Sequence, residues 1–284
     1  MSAERPEQPE RPEQLERLAI NQITVKGWSF EETVRGLARH GIGWLGAWVG
    51  PVEEYGPERA ATLLRDHGIR VSSMCRAGFF TGKNPDGGGL DHDANRRAVE
   101  LTAAIGGDVL YLVSGGVRDD LDLERSRATV VEGIAELVPY AASAGVRLAV
   151  EPLHPMMCAE RSVTVTLDQA LDVVEGFDPA HVGLAVDTYN VWWDPGLHAS
   201  LARAAGRIIG YQVCDWLVPQ PHPTFGRGLP GDGAIDLRSI TRAVGAAGFD
   251  GPIEVEIFNE KVWAADPDDV LASVVAGFPR HVLP

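Results

Sequence analysis

Between residues 18 and 281 the chain alternates, eight times over, between a short apolar run and a segment with helical signals. No other property of the sequence narrows the fold as far. The runs fall at residues 18–25, 42–48, 69–75, 108–113, 146–151, 182–187, 207–214 and 251–260. Apolar runs of this length, bounded by turn residues, read as strands buried on both faces, which is how a parallel sheet covered by helices is built. The intervening segments carry helix punctuation. Ser29 precedes Glu31 and Glu32, Thr166 precedes Asp168, and Gly41 and Gly68 follow the ends of their helices, placing acids at the positive end and glycine at the close. The longest helix is predicted over 123–144, bent or broken near Pro139, where a backbone donor is missing. Eight strand–helix pairs in 284 residues match an α/β fold, the closed (β/α)8 TIM barrel. A doubly wound open sheet is the alternative, but no GxGxxG turn follows the first strand.

Residues 1–16 repeat Glu, Arg, Pro and Gln and lack the apolar surface to fold, so they are expected to form a disordered tail ahead of a single barrel over 17–284. That segment also lacks the basic start and apolar centre of a signal peptide. No apolar run approaches the roughly 18 residues of a membrane helix, and the expected location is cytoplasmic. The formal net charge of −15 excludes nucleic acid and anionic membrane as principal partners, because both need a basic face. Cys75, Cys158 and Cys214 show no CxxC spacing, which excludes a zinc knuckle or disulfide framework. Cys75 and Cys214 read as buried thiols.

Function is concentrated at strand ends. Glu151, Asp187 and Glu256 end the fifth, sixth and eighth runs, and Gln212 lies in the seventh. In a barrel of this kind the C-terminal ends of the strands form the active-site face. Burying unpaired carboxylates costs several kcal/mol, so a cation is expected between them. Carboxylate and amide oxygens are hard donors that suit Mn²⁺ or Mg²⁺. The plainer alternative is that these acids cap helices or pair with Arg161 or Arg227. His154 follows Glu151 by three residues and is a candidate substrate contact, or else packs between Pro152 and Pro155. Trp192, Trp193, Trp216 and Phe79 are candidates to wall a binding pocket, or else are core and loop packing. The segment 76–93, with its glycines, Pro85, Phe79 and Phe80, reads as a rim loop.

The succession AVEPLH, GLAVDTYN, GYQVCDW, GRGLPGDG and VEIF resembles the sugar phosphate isomerase/epimerase superfamily, the xylose isomerase-like barrels that include ketose 3-epimerases and inosose-handling enzymes. The resemblance spans about residues 18–280. It implies a (β/α)8 barrel holding one divalent metal, Mn²⁺ foremost with Mg²⁺ or Co²⁺ as alternatives. It also implies that Glu151 and Glu256 form an acid/base pair while ligating the metal, with Asp187 a further ligand. Arg227 falls where the family binds substrate oxygens, with a surface arginine as the plain alternative. Two departures stand out: Gln212 and Asn190 occupy positions where family members commonly carry His. Gln212 would ligate through its carbonyl oxygen, and Asn190 falls among the substrate contacts. His222, in the loop after the seventh strand, is either a substitute ligand or a solvated loop histidine.

The implied activity is isomerisation or epimerisation of a sugar, keto-sugar or cyclitol-like ketone by proton abstraction next to a carbonyl, through an enediolate. One alternative is a metal-dependent lyase cleaving a 3-oxo-glycoside by β-elimination, with a small partner subunit. Another is a non-catalytic sugar-binding barrel. The expected partner is a small carbohydrate substrate, with a homo-oligomer as a further expectation.

Overall fold

The computed structural model describes residues 13–84 and 90–284. Its strands are β1 (Leu18–Asn21), β2 (Trp44–Trp48), β3 (Arg70–Gly78), β4 (Val109–Val113), β5 (Arg147–Val150), β6 (Val182–Asp187), β7 (Ile208–Val213), β8 (Asp215–Trp216), β9 (Arg227–Gly228) and β10 (Ile253–Val255). Eight of them close a barrel in the order β1-β10-β7-β6-β5-β4-β3-β2, with every neighbouring pair parallel. The expected (β/α)8 barrel is therefore the fold. The short strands β8 and β9 pair antiparallel outside it, a ribbon the sequence did not announce.

Several boundaries move for local reasons. The first strand stops at Asn21 instead of residue 25, because the Asn21 side chain accepts from the Ile23 backbone N–H and starts a 3-10 turn over Gln22–Val25. The third strand runs three residues longer than expected, so Arg76 belongs to β3 and not to the loop. The helix Leu123–Ser143 continues through Pro139 without a break. Within the expected tail, Glu13–Leu15 form a 3-10 turn, and Leu15 is buried in the core. Residues 1–12 of that tail, and 85–89 of the expected rim loop, lie outside the described residues. Among the described residues, no helix is long and apolar enough to cross a membrane.

Side chains from alternate strand positions face opposite ways. The outward-facing set, including Leu18, Ile20, Leu45, Leu110, Leu148 and Leu184, packs against the helix ring in one continuous core. The inward-facing set is smaller and more polar. Cys75, Val109, Tyr111, Ala149 and Ala185 form its apolar floor. Two glycines make room there for side chains from across the barrel. A Cβ on Gly46 would lie 2.3 Å from the Glu254 carboxyl carbon, and one on Gly210 would lie 2.2 Å from the Tyr111 hydroxyl oxygen. Since the Glu254 carboxylate is held by hydrogen bonds from four side chains, it has little freedom to yield. Gly46→Ala is expected to destabilise the fold by about 1–3 kcal/mol, read as a shifted urea midpoint at unchanged slope.

Candidate active site

Each acid reaches the site by the way its strand ends. Glu151 and Glu256 are the residues immediately after β5 and β10, and Asp187 is the last residue of β6. Asp187 also starts the next element: its Oδ1 accepts from the Tyr189 backbone N–H, capping the short helix Thr188–Val191. That cap fixes Asn190 one turn on. Its Nδ2 donates to Asp187 Oδ2 at 2.9 Å and to Glu151 Oε1 at 3.0 Å, while its Oδ1 accepts from the His154 backbone N–H. Asn190 thus joins two acids and the loop after β5.

Arg227 arrives from the ribbon. The β8–β9 pairing sets Arg227 opposite Trp216, and Asn259 Nδ2 donates to the Arg227 carbonyl. Its Nη1 then sits 2.9 Å from Asp187 Oδ2 and 2.8 Å from Glu256 Oε2. The guanidinium lies between the rings of Tyr189 and Phe258, at 4.7 and 4.9 Å from their centroids. All three members of this bridge are buried.

Burial pushes the Glu151 carboxyl well above the usual carboxylate range, with the charges of Asp187 and Glu256 adding to the shift. Burial also raises Asp187, against the pull of Arg227. Glu256 is pushed up to about 7 by burial, again opposed by Arg227. The acids beside Arg227, Asp187 foremost, overcome its own desolvation and keep it charged. His154 is lowered by burial.

These groups open onto a cavity of about 300 Å³ lined by Glu151, Glu256, Arg227, His154 and Asn190. Asp187 and Gln212 lie behind this surface. Gln212 Nε2 donates to Glu254 Oε1 at 2.8 Å, and its Oε1 is buried without a hydrogen-bond partner among the described residues. Buried amide oxygens are nearly always satisfied, so this atom marks a place for a donor or a cation.

The aromatic wall differs from the expected one. Trp216 stacks behind His154 at 5.1 Å, and Trp192 packs on Trp216 at 5.5 Å. Neither lines the cavity; they form a layer behind His154. Trp193 donates to the Asn190 carbonyl and meets the His154 ring edge-on. Phe79 is buried, with the Arg76 guanidinium 5.4 Å from its centroid, and it too is no part of the lining. The reason is the longer β3, which projects Arg76 into the cavity instead. His222 is exposed, accepts from the backbone of Thr224 and Phe225, and stacks on Phe225; it reaches none of the acids.

The observed lining includes Trp48, Phe258, Trp263 and Phe225, and the cations Lys26, Arg76 and Arg161. Trp48 ends β2 and Lys26 follows the turn after β1, so strand-end position was the signal for both. Glu254 was also missed. It lies two residues before Glu256 on the same strand face, as a period of two requires.

A family profile described as xylose isomerase-like TIM barrel matches residues 34–276. The chain belongs to that family. Protein SMc04130 of Sinorhizobium meliloti 1021, a crystal structure, superposes with a TM-score of 0.89 at 40% identity, covering 95% of this chain and 100% of that one. A 3-dehydroshikimate dehydratase of Pseudomonas aeruginosa is 25% identical over 74% of this chain, which spans only 32% of its length. An L-ribulose-5-phosphate 3-epimerase of Salmonella paratyphi C is 26% identical over 70% of this chain and 68% of its own. By their names these two relatives are a dehydratase and an epimerase.

The Arg227 bridge leads to a stability prediction in chelator-treated protein. Arg227→Met leaves Asp187 and Glu256 buried without their cation, a loss of about 3–5 kcal/mol when both are charged. Burial raises the folded pKa of Glu256 to about 7, so its folded state gains protons as pH falls through that value. The loss should therefore be full near pH 8 and smaller near pH 5, as read by urea unfolding at the two pH values.

Proposed function

We propose that this chain is a divalent-metal-dependent enzyme that moves a proton at a carbon next to a carbonyl, and that its reaction is the isomerisation or epimerisation of a sugar, keto-sugar or cyclitol-like ketone. The observation carrying this reading is the pair Glu151 and Glu256. Both are buried, both line one cavity, and they come from β5 and β10 with β6 and β7 between them. Two carboxylates facing one small cavity from separate strands suit removal of a proton on one side and its return on the other. Glu256, near neutrality in its titration, matches the operating range of a general acid or base.

The donor set fits the expected metal. Glu151, Asp187, Glu256 and the unpartnered Oε1 of Gln212 supply only oxygen, the preference of Mn²⁺ and Mg²⁺. When bound, such an ion would polarise a substrate carbonyl and favour the enediolate. Arg227 holds Asp187 and Glu256 in place, and its Nε is a buried donor without a partner among the described residues, suited to a substrate oxygen on which negative charge develops. Asn190 fixes Glu151 relative to Asp187. Trp48, Phe258 and Trp263 offer apolar surface to the C–H faces of a ring and keep water from the acids.

A second reading, loss of water or of an aglycone by β-elimination after the same proton abstraction, is favoured by the cations of the lining. Lys26, Arg76 and Arg161 border the cavity of a protein with net charge −15, and Lys26 Nζ sits 4.2 Å from the Trp263 ring centroid. This sign of charge suits an oxo-acid substrate of the kind a dehydratase relative takes.

The test is proton exchange with solvent. With Mn²⁺ supplied, a panel of keto-sugars, cyclitol ketones, 3-oxo-glycosides and oxo-acids is incubated in D₂O and followed by NMR and mass spectrometry. An isomer of the same mass carrying deuterium supports the first reading, and loss of water or aglycone the second. Glu151→Gln and Glu256→Gln are each expected to slow the reaction by roughly 10²–10⁴-fold; near-full turnover in either would remove that residue from the acid/base pair.

A further inference from the structure

Besides these acids the barrel strand β10 carries a further buried carboxylate, Glu254, which does not line the cavity. Its two oxygens are fully engaged. Oε1 accepts from Asn21 Nδ2 at 2.6 Å and Gln212 Nε2 at 2.8 Å, and Oε2 accepts from Ser72 Oγ at 2.6 Å and Ser73 Oγ at 2.7 Å. Two consecutive serines reach one oxygen because the β2–β3 register slips at Leu45/Gly46, where Ser72 is passed over. Although Cys75 Sγ, a Glu254 oxygen and a Glu256 oxygen lie within 4.8 Å of one another, these four donors suit Glu254 to support and not to ligation.

We propose that Glu254 is a positioning residue: it locks the Gln212 amide in the one orientation that turns the carbonyl oxygen, and not the NH₂ group, toward the site. The inference rests on the metal-dependent reading above and deepens it. Both Glu254 oxygens act as acceptors here, so Gln212 presents its NH₂ group, Nε2, to Glu254. The other end of the amide is then necessarily its oxygen, which is buried with no hydrogen-bond partner among the described residues. With a neutral acceptor and donor in place of Glu254, both orientations of the amide would be tolerated, and half of them would aim N–H groups at a cation. The same carboxylate orients the cavity wall. Asn21 gives its Nδ2 to Glu254, which leaves Asn21 Oδ1 to accept from Trp48 Nε1 at 2.6 Å. The same anchor would also serve a histidine at position 212. An imidazole donating one ring N–H to Glu254 would expose its other nitrogen to the ion, as a carboxylate-supported histidine ligand does.

The test measures Mn²⁺ binding directly, by the loss of the free-ion electron paramagnetic resonance signal, with melting temperature as a check on folding. Wild type is expected to bind one ion per chain. Glu254→Gln is expected to weaken binding roughly 10–100-fold, the usual effect of removing a ligand's supporting carboxylate, and Gln212→Ala to weaken it at least as much. Gln212→His, with Glu254 intact, should bind within about tenfold of wild type or tighter; it keeps the proposal testable if Glu254→Gln does not fold. Wild-type affinity in Glu254→Gln, or loss of binding in Gln212→His equal to that in Gln212→Ala, would overturn the positioning role while leaving the metal-dependent reading standing. A wild type that takes up no Mn²⁺ would overturn both.

Discussion

Carboxylates crowded into the low-dielectric end of a barrel repel one another and resist ionising, and everything at this site answers that constraint. The Arg227 bridge to Asp187 and Glu256 is the principal answer. It costs a dedicated piece of structure: the β8–β9 ribbon, the Asn259 contact to the Arg227 backbone, and the two rings that hold the guanidinium. Removing one partner of such a bridge leaves the others as uncompensated buried charges, which is the expensive case. Asn190 answers the rest by sharing one NH₂ group between Glu151 and Asp187.

Below that layer the polarity is inverted. Glu254 is a buried carboxylate surrounded by donors, one of them the Gln212 amide. The two layers belong to the same strands. Glu254 on β10 and Glu256 just after it stand two residues apart, and Gln212 is the neighbour of both Glu254 and Asp187 in the strand register. Parallel pairing is thus what brings residues 187, 212 and 254 side by side, although they are distant in sequence.

The strand-end acids were legible because apolar runs ending in charged residues have few structural explanations, and Glu151, Asp187, Glu256, His154, Asn190 and Arg227 do meet at one place. The aromatic residues were not. Trp192, Trp216 and Phe79 sit near the rim in sequence, but whether a ring faces the cavity or the layer behind it depends on where each strand stops. β3 runs on to Gly78, so Arg76 takes the inward position and Phe79 turns away; β1 stops at Asn21, so Lys26 reaches the cavity.

The alternation of apolar runs with helical segments determined the barrel by itself, because strand and helix periodicity are local properties of the chain. Strand-end position likewise marked the three acids and Gln212 as a set. Only the tertiary structure decided what each group does with its neighbours. It placed the Arg227 guanidinium between two acids, exposed Trp48 and Trp263 in place of Trp192 and Trp216, and made Glu254 the partner of Gln212. Those outcomes depend on register, on a bulge at Ser72 and on which atom of an amide faces an acceptor. Such contacts form between strands that are remote in sequence, and no local pattern records them.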